Sequence, residues 1–116
     1  MTYEAAVELL IGHRWWLVRE DFGVYVGFCR GFRGESLAAI DWSAVWAALE
    51  DGHLPCSSGE RQVLRVAASI AEGVPIDLRE VVTSLDAVNA VLVARAVLAA
   101  GGHHEAACVL AGVGCR

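Results

Sequence analysis

The end of the chain brings together side chains that can bind a metal ion. His103, His104 and Glu105 are followed by Cys108, and residues four apart, such as His104 and Cys108, lie on one face of a helix. Such a pair can supply two ligands to zinc, which in structural sites takes four nitrogen or sulfur ligands. The chain contains no HExxH motif and no paired set of ligands. We therefore interpret these histidines as part of a surface tail, and predict no metal site and no cofactor.

A single cysteine is the second candidate for chemistry. Cys56 precedes a predicted helix, whose N-terminus can lower the pKa of a thiol and so make it reactive. Nucleophilic catalysis also needs a base beside the nucleophile and an acid that orients the base, and nothing in the sequence identifies a histidine partner for Cys56. We expect the protein not to be an enzyme. A small thiol- or metal-dependent enzyme, using Cys56 or His104 with Cys108, is the alternative.

The segment SSGERQ, residues 57–62, looks like the signature of ABC-transporter ATPases. That signature acts on a nucleotide held by a phosphate-binding loop, GxxxxGK[ST], which needs a lysine. All nine basic residues of this chain are arginines. A capping box explains the same letters, because Ser57 and Glu60 have the S-x-x-E spacing in which each side chain bonds the backbone N–H of the other. We interpret the segment as the start of a helix and exclude an ATPase.

The order of elements between residues 60 and 100 would also suit a helix-turn-helix. The recognition helix would then be DLREVV, in which Arg79 is the only basic residue and has two acidic neighbours. The net charge of the chain is −5, and its arginines are spread from Arg14 to Arg116. Because binding to phosphates depends on clustered positive charge, we expect no nucleic-acid partner. A DNA-binding regulator is a further alternative.

Aromatic and cationic side chains stand together at residues 14–19. Trp15 and Trp16 are adjacent, so they cannot face the same side of a helix or strand. Tryptophan beside arginine is the composition of interface hot spots. We predict an interaction surface that consists of Arg14, Trp15, Trp16 and Arg19. The alternative is that one ring packs on the core and the other on a second helix.

Hydrophobic spacing predicts helices along nearly the whole chain. We expect them at residues 3–11, 42–50, 57–72, 78–82 and 85–100, with Asp41, Ser57 and Asp77 as N-caps and Ser84 or Thr83 as the cap of the last. The segment 20–30 is ambiguous. Its apolar residues have helical spacing, whereas β-branched and aromatic residues around a turn at residues 21–23 would suit a hairpin. We predict a helix there.

The last long helix is apolar on every side. From Ala87 to Ala100 only Asn89 and Arg95 are polar, and a helix of this kind lies at the centre of a core or in an interface. The whole chain shows the same excess, because 56% of its 116 residues are hydrophobic and a small monomer has too little volume to bury them all. Such an excess often lies in a subunit interface.

The first residues and the length of the apolar runs bear on localisation. The start, MTYEAAVELL, has acidic residues where a signal peptide would have basic ones. No uninterrupted apolar run reaches the ~18 to 20 residues that cross a bilayer. We expect a cytoplasmic protein with no membrane partner, and therefore four reduced cysteines, at positions 29, 56, 108 and 115.

Residues 39–97 resemble a family of small, uncharacterised, all-helical proteins from GC-rich bacteria. The motifs that carry the resemblance are IDW at residues 40–42, LPCSSGE at 54–60, IDLR at 76–79 and TSLD at 83–86. The last of these is similar to the family's LTxLD. The upstream residues Trp16, Leu17, Arg19, Asp21 and Phe22 are similar to the family as well. The resemblance implies no activity and no site residue. It supports the interpretation of LPCSSGE as a structural helix start.

Taken together, these patterns predict a single all-α domain of five or six helices over residues 1–102, followed by a short frayed tail at 103–116. The helix at 85–100 is expected at its centre or in a subunit interface. The function we predict is a protein-interaction module, with a protein partner that is either the same chain, as a homodimer, or another protein.

Overall fold

The computed structural model describes residues 2–34 and 36–112. Within these residues the chain forms seven helices and one antiparallel pair of strands, in the order α1 (Thr2–His13), α2 (Glu20–Gly23), β1 (Val26–Arg30), β2 (Ser36–Ile40), α3 (Trp42–Glu50), α4 (Ser58–Glu72), α5 (Leu78–Ser84), α6 (Ala87–Ala100) and α7 (His104–Leu110). The mostly helical fold is confirmed, while the strands and the number of helices differ from the prediction.

Helix α4 lies at the centre of the fold and packs against α1, α3, α5 and α6. Its start is the predicted capping box: Glu60 N–H donates to Ser57 Oγ over 3.3 Å, and Ser57 N–H donates to Glu60 Oε1 over 2.8 Å. Its end is Gly73, whose φ of 72° suits a residue without a side chain. The buried apolar residues of α4 are Val63, Leu64, Val66, Ala67, Ala68 and Ala71.

Of the two positions predicted for the helix near 85–100, the centre of the bundle is therefore wrong, while the subunit interface stays a prediction. Helix α6 packs against α1, α4 and α7, and Ala96 is its one buried residue. An all-round apolar helix needs neighbours on every side to be buried. Within the described residues, packing against α1, α4 and α7 leaves five residues of α6 exposed, namely Ala87, Val88, Ala90, Val91 and Val97.

The segment 20–30 is a one-turn helix followed by a strand, so the predicted helix there is wrong. Strand β1 pairs with β2 in a register that places Val26 opposite Ile40 and Arg30 opposite Ser36. The alternative of a hairpin correctly predicted a strand in this segment, but the turn lies after Arg30, where Gly34 N–H donates to the carbonyl of Gly31 over 3.0 Å, and not at residues 21–23. Two glycines, Gly23 and Gly27, lower the helical propensity of the segment, whereas its β-branched and aromatic residues favour a strand.

The N-caps of three other helices are aspartates. Asp41 accepts from Ala44 N–H over 3.1 Å and Asp77 accepts from Arg79 N–H over 2.9 Å, as predicted. Helix α6 is capped by Asp86, which accepts from Asn89 N–H over 2.8 Å, and not by Thr83 or Ser84. The hydroxyls of Thr83 and Ser84 instead donate to carbonyls of the preceding turn of α5, which makes them the end of α5.

Two further findings concern the predicted tail and the prediction that no segment spans a membrane. Helix α7 lies in the predicted tail and packs on α6, while residues 113–116 are outside the described part. In the ranges that the structure describes, no helix has both the length and the apolar character needed to cross a membrane.

Candidate interaction surface

The predicted tryptophan and arginine cluster lies between α1 and α2. The chain leaves α1 through Arg14, which has a φ of 71° and an exposed side chain. Trp16 is completely buried and donates its Nε1–H to the carbonyl of Glu60, 2.9 Å away. Its ring lies edge-on to Trp15, with centroids 4.9 Å apart, and against Phe22 at 5.6 Å. Trp16 is thus a core residue, and its predicted place in the interaction surface is wrong.

Arg19 connects this cluster to the loop before α4. Its guanidinium carbon lies 4.6 Å from the ring centroid of Trp15 and 4.8 Å from that of Trp16. It also donates to the carbonyl of Pro55 over 2.7 Å and forms a two-bond ion pair with Asp21. These hydrogen bonds from Arg19 lower the pKa of the Asp21 carboxyl. Of the four residues predicted for the interaction surface, Arg14 is exposed, Trp15 and Arg19 are half-buried and Trp16 is buried. The guanidinium of Arg19 is already bonded to Asp21 and Pro55.

Cys56 lies directly before the N-cap of α4 and is half-buried, with a free thiol. Burial raises the pKa of the Cys56 thiol, against a smaller lowering effect from Arg61 and Arg19. Desolvation disfavours the thiolate more strongly than the nearby positive charges favour it. The thiol is therefore protonated at neutral pH, which is the opposite of what nucleophilic catalysis requires.

The other sequence candidate, His104 with Cys108, lies on α7. Cys108 is disulfide-bonded, which contradicts the expectation that all four cysteines are reduced and leaves this sulfur without a thiolate for zinc. Among residues 2–34 and 36–112, no group of three or more His, Cys, Asp or Glu side chains has the arrangement of a metal site.

The outward side of α6 is an uncharged surface. With 3.6 residues per turn, the residues that point away from buried Ala96 can be read from their spacing. They are Ala87, Ala90, Val91, Ala94, Val97 and Leu98, which we call the α6 face. Arg95 borders this face on one edge. Val91 and Val97 keep 41% and 56% of their surface exposed, and Val88, beyond Arg95, keeps 71%.

Neighbouring elements add to the exposed apolar area. Helix α7, which packs on α6, exposes Val109 and Leu110, and α5 exposes Leu78 and Val82. Helices on a protein surface normally carry polar residues on the side that faces water. The face of α6 departs from this rule over the whole length of the helix. The apolar run was visible in the sequence, but which side of it stays uncovered was not.

Comparison of the chain with models of protein families, with curated proteins and with solved structures gives no match. The resemblance of residues 39–97 to small bacterial proteins stays a prediction.

Proposed function

We propose that this protein is an interaction module that associates with a second copy of itself through the α6 face. The observation that carries the proposal is the outward side of α6, where none of the six residues of the face is polar. An exposed apolar strip on a small protein marks an interaction site. Full burial of a valine side chain is worth roughly 1.5 kcal/mol at the lower end of the usual range. Val91 and Val97 keep 41% and 56% of their surface exposed, so each would contribute about half of that value.

A second copy is the partner that this face fits best. Two identical uncharged faces can pack by a twofold axis without placing like charges opposite each other. The three alanines of the face allow two helix axes to approach at the short end of the usual ~8 to 10 Å range. A face with several charges would instead call for a partner of opposite charge.

The size of the face sets the expected affinity. Helix α6 has 14 residues, so at ~1.5 Å per residue and ~10 Å width its face covers roughly 200 Å². A standard-size interface buries about 800 Å² per partner, roughly four times the area of this face. The exposed Val109 and Leu110 of α7 would enlarge the contact only slightly, so the expected dimer is weak. We expect a dimer whose population depends on protein concentration.

The charge of the chain gives a second expectation. Each copy carries a net charge of −5, so two copies repel each other at low ionic strength. Added salt screens this repulsion and would strengthen a dimer held by apolar contacts. An interface built from ion pairs would weaken under the same change.

The test is sedimentation of the wild-type chain over a hundredfold range of concentration, in low and high salt. We expect a monomer–dimer equilibrium that salt shifts to the dimer. Val91→Arg, which places a charge in the face, should leave a monomer with an unchanged far-UV circular dichroism spectrum. Val24→Arg is the matched control, because Val24 is 78% exposed and follows α2, outside the face.

Two results would refute the proposal. A wild-type monomer at every concentration would mean that the chain does not self-associate. A folded Val91→Arg variant that still dimerises would place the interface on another surface.

A further inference from the structure

A cleft opens on the side of α6 that is opposite the α6 face. It lies between α1, α6 and α7 and has a volume of about 280 Å³. At about 30 Å³ for each water molecule in the liquid, the cleft has room for roughly nine heavy atoms. This is slightly less than the usual range of ligand pockets, so the cleft suits a small molecule.

The walls of the cleft are mostly small and apolar. Side chains from all three helices form them, namely Ala5, Leu9, Leu92, Ala96, Ala99 and Ala107. At one end α1 and α6 come into close contact, since a Cβ at Gly12 would lie only 3.1 Å from Leu92 Cδ2. Such walls accept an aliphatic group and disfavour a polar one, which would lose its hydrogen bonds to water.

Two side chains of opposite charge also line the cleft. Glu8 comes from α1 and Arg95 from α6. Neither has a hydrogen bond or ion pair with any residue in the described ranges 2–34 and 36–112, and they are not paired with each other. His104, which lines the α7 side, has an interaction of its own. The cleft therefore offers one cation and one anion next to an apolar wall.

We propose that the cleft binds a small aliphatic α-amino acid as its zwitterion. The guanidinium of Arg95 has the planar, forked arrangement of donors that matches a carboxylate, and Glu8 would accept hydrogen bonds from the ammonium group. The aliphatic side chain would lie against the alanines of α6 and α7. Leucine, with nine heavy atoms, has the size of the cleft.

This proposal does not depend on self-association, because it rests on the cleft and not on the α6 face. Calorimetric titration of the wild-type protein with L-leucine is the first test. Two probes of the same shape separate the roles of the charges, because 4-methylpentanoate lacks the ammonium group and 3-methylbutylamine lacks the carboxylate. We expect each of them to bind at least about tenfold more weakly than leucine, since a charge-assisted hydrogen bond is lost in each case.

Variants of the two charged residues test the site itself. Arg95→Gln and Glu8→Gln should each weaken leucine binding at least about tenfold, and Ala107→Leu should abolish it by filling the cleft. Arg79→Gln and Glu50→Gln are the matched controls, because they remove the same charges outside the cleft. Circular dichroism of each variant separates loss of the site from loss of the fold.

The outcomes that would overturn the proposal are distinct. If leucine at millimolar concentration gives neither heat nor a ligand-observed NMR signal, the cleft does not bind it, and Glu8 and Arg95 are ordinary surface residues. Equal binding of leucine and the two probes would show an apolar cleft without recognition of charge. Binding that Arg95→Gln and Glu8→Gln leave unchanged would place the ligand elsewhere.

Discussion

Arg19→Met tests whether the arginine between α1 and α2 stabilises the fold from within. The methionine keeps most of the aliphatic stem that packs on the rings but removes the guanidinium that lies 4.6 and 4.8 Å from the centroids of Trp15 and Trp16. It also removes the hydrogen bond to the carbonyl of Pro55. The side chain of Arg19 keeps 18% of its surface exposed. We therefore use the free-energy contributions that are typical of partly exposed cation–π contacts and hydrogen bonds.

Each stacking contact then contributes about 0.5 to 1 kcal/mol, and a hydrogen bond from a charged donor about 1.5 kcal/mol. We add nothing for the ion pair with Asp21, because exposed pairs contribute little. The expected loss in the free energy of unfolding is about 2.5 to 3.5 kcal/mol. For a domain of this length, about 1 kcal/mol corresponds to roughly 4 °C in Tm, so the expected drop is roughly 10 to 14 °C.

Urea unfolding followed by tryptophan fluorescence measures this loss directly. Arg19→Lys is the comparison, since lysine keeps the charge but has neither the planar stacking surface nor the fork of donors. We expect the lysine variant to fall between the methionine variant and the wild type. A loss below about 0.5 kcal/mol for Arg19→Met, the size of an ordinary surface substitution, would refute the reasoning. So would a lysine variant as stable as the wild type.

Two further predictions follow from pKa values that burial changes. Burial lowers the pKa of His13 below its usual 6.5, and this effect is larger than the opposite effect of Glu60 and Asp86. The unfolded chain therefore binds a proton at this histidine more readily than the folded chain does. The free energy of unfolding should fall as the pH drops below 6.5. Urea unfolding at pH values above and below 6.5 checks this, and His13→Gln should show a weaker pH dependence in that window. Burial raises the pKa of the Cys56 thiol above 9.0, so it should react with a thiol reagent at neutral pH more slowly than free cysteine does. Comparison with Cys56→Ser assigns the reaction, and a rate above that of free cysteine would contradict the prediction.

Local signals in the sequence predicted the helix starts well. Asp41, Ser57 and Asp77 are N-caps in the structure as predicted, because a cap needs only one side chain and the backbone of the next three residues. Capping by Asp86 was missed because three possible caps follow one another there, and the hydroxyls of Thr83 and Ser84 bond to α5 instead.

The errors arose where distant parts of the chain decide the structure. A helix and a strand were both compatible with residues 20–30, and pairing with residues 36–40 decides for the strand. Trp16 was placed on a surface because adjacent rings must face different ways. In the structure the ring that turns inward is Trp16, whose Nε1–H reaches the first turn of α4, 44 positions along the chain.

The same reasoning explains why α6 carries the functional proposals. Its apolar sequence is compatible with a central helix or with an interface, and no local signal separates these cases. The structure places α4 at the centre, and α6 at the side with one buried residue, Ala96. Within the described residues, Ala87, Ala90, Val91 and Val97 of the α6 face are exposed. An exposed apolar face of this kind contradicts the usual pattern of surface helices, and such departures are expected where a protein functions. Arg95, the one charged residue of α6, stands at the border between this face and the cleft, so a single substitution there separates the two proposals: Arg95→Gln should weaken leucine binding while leaving the dimer intact.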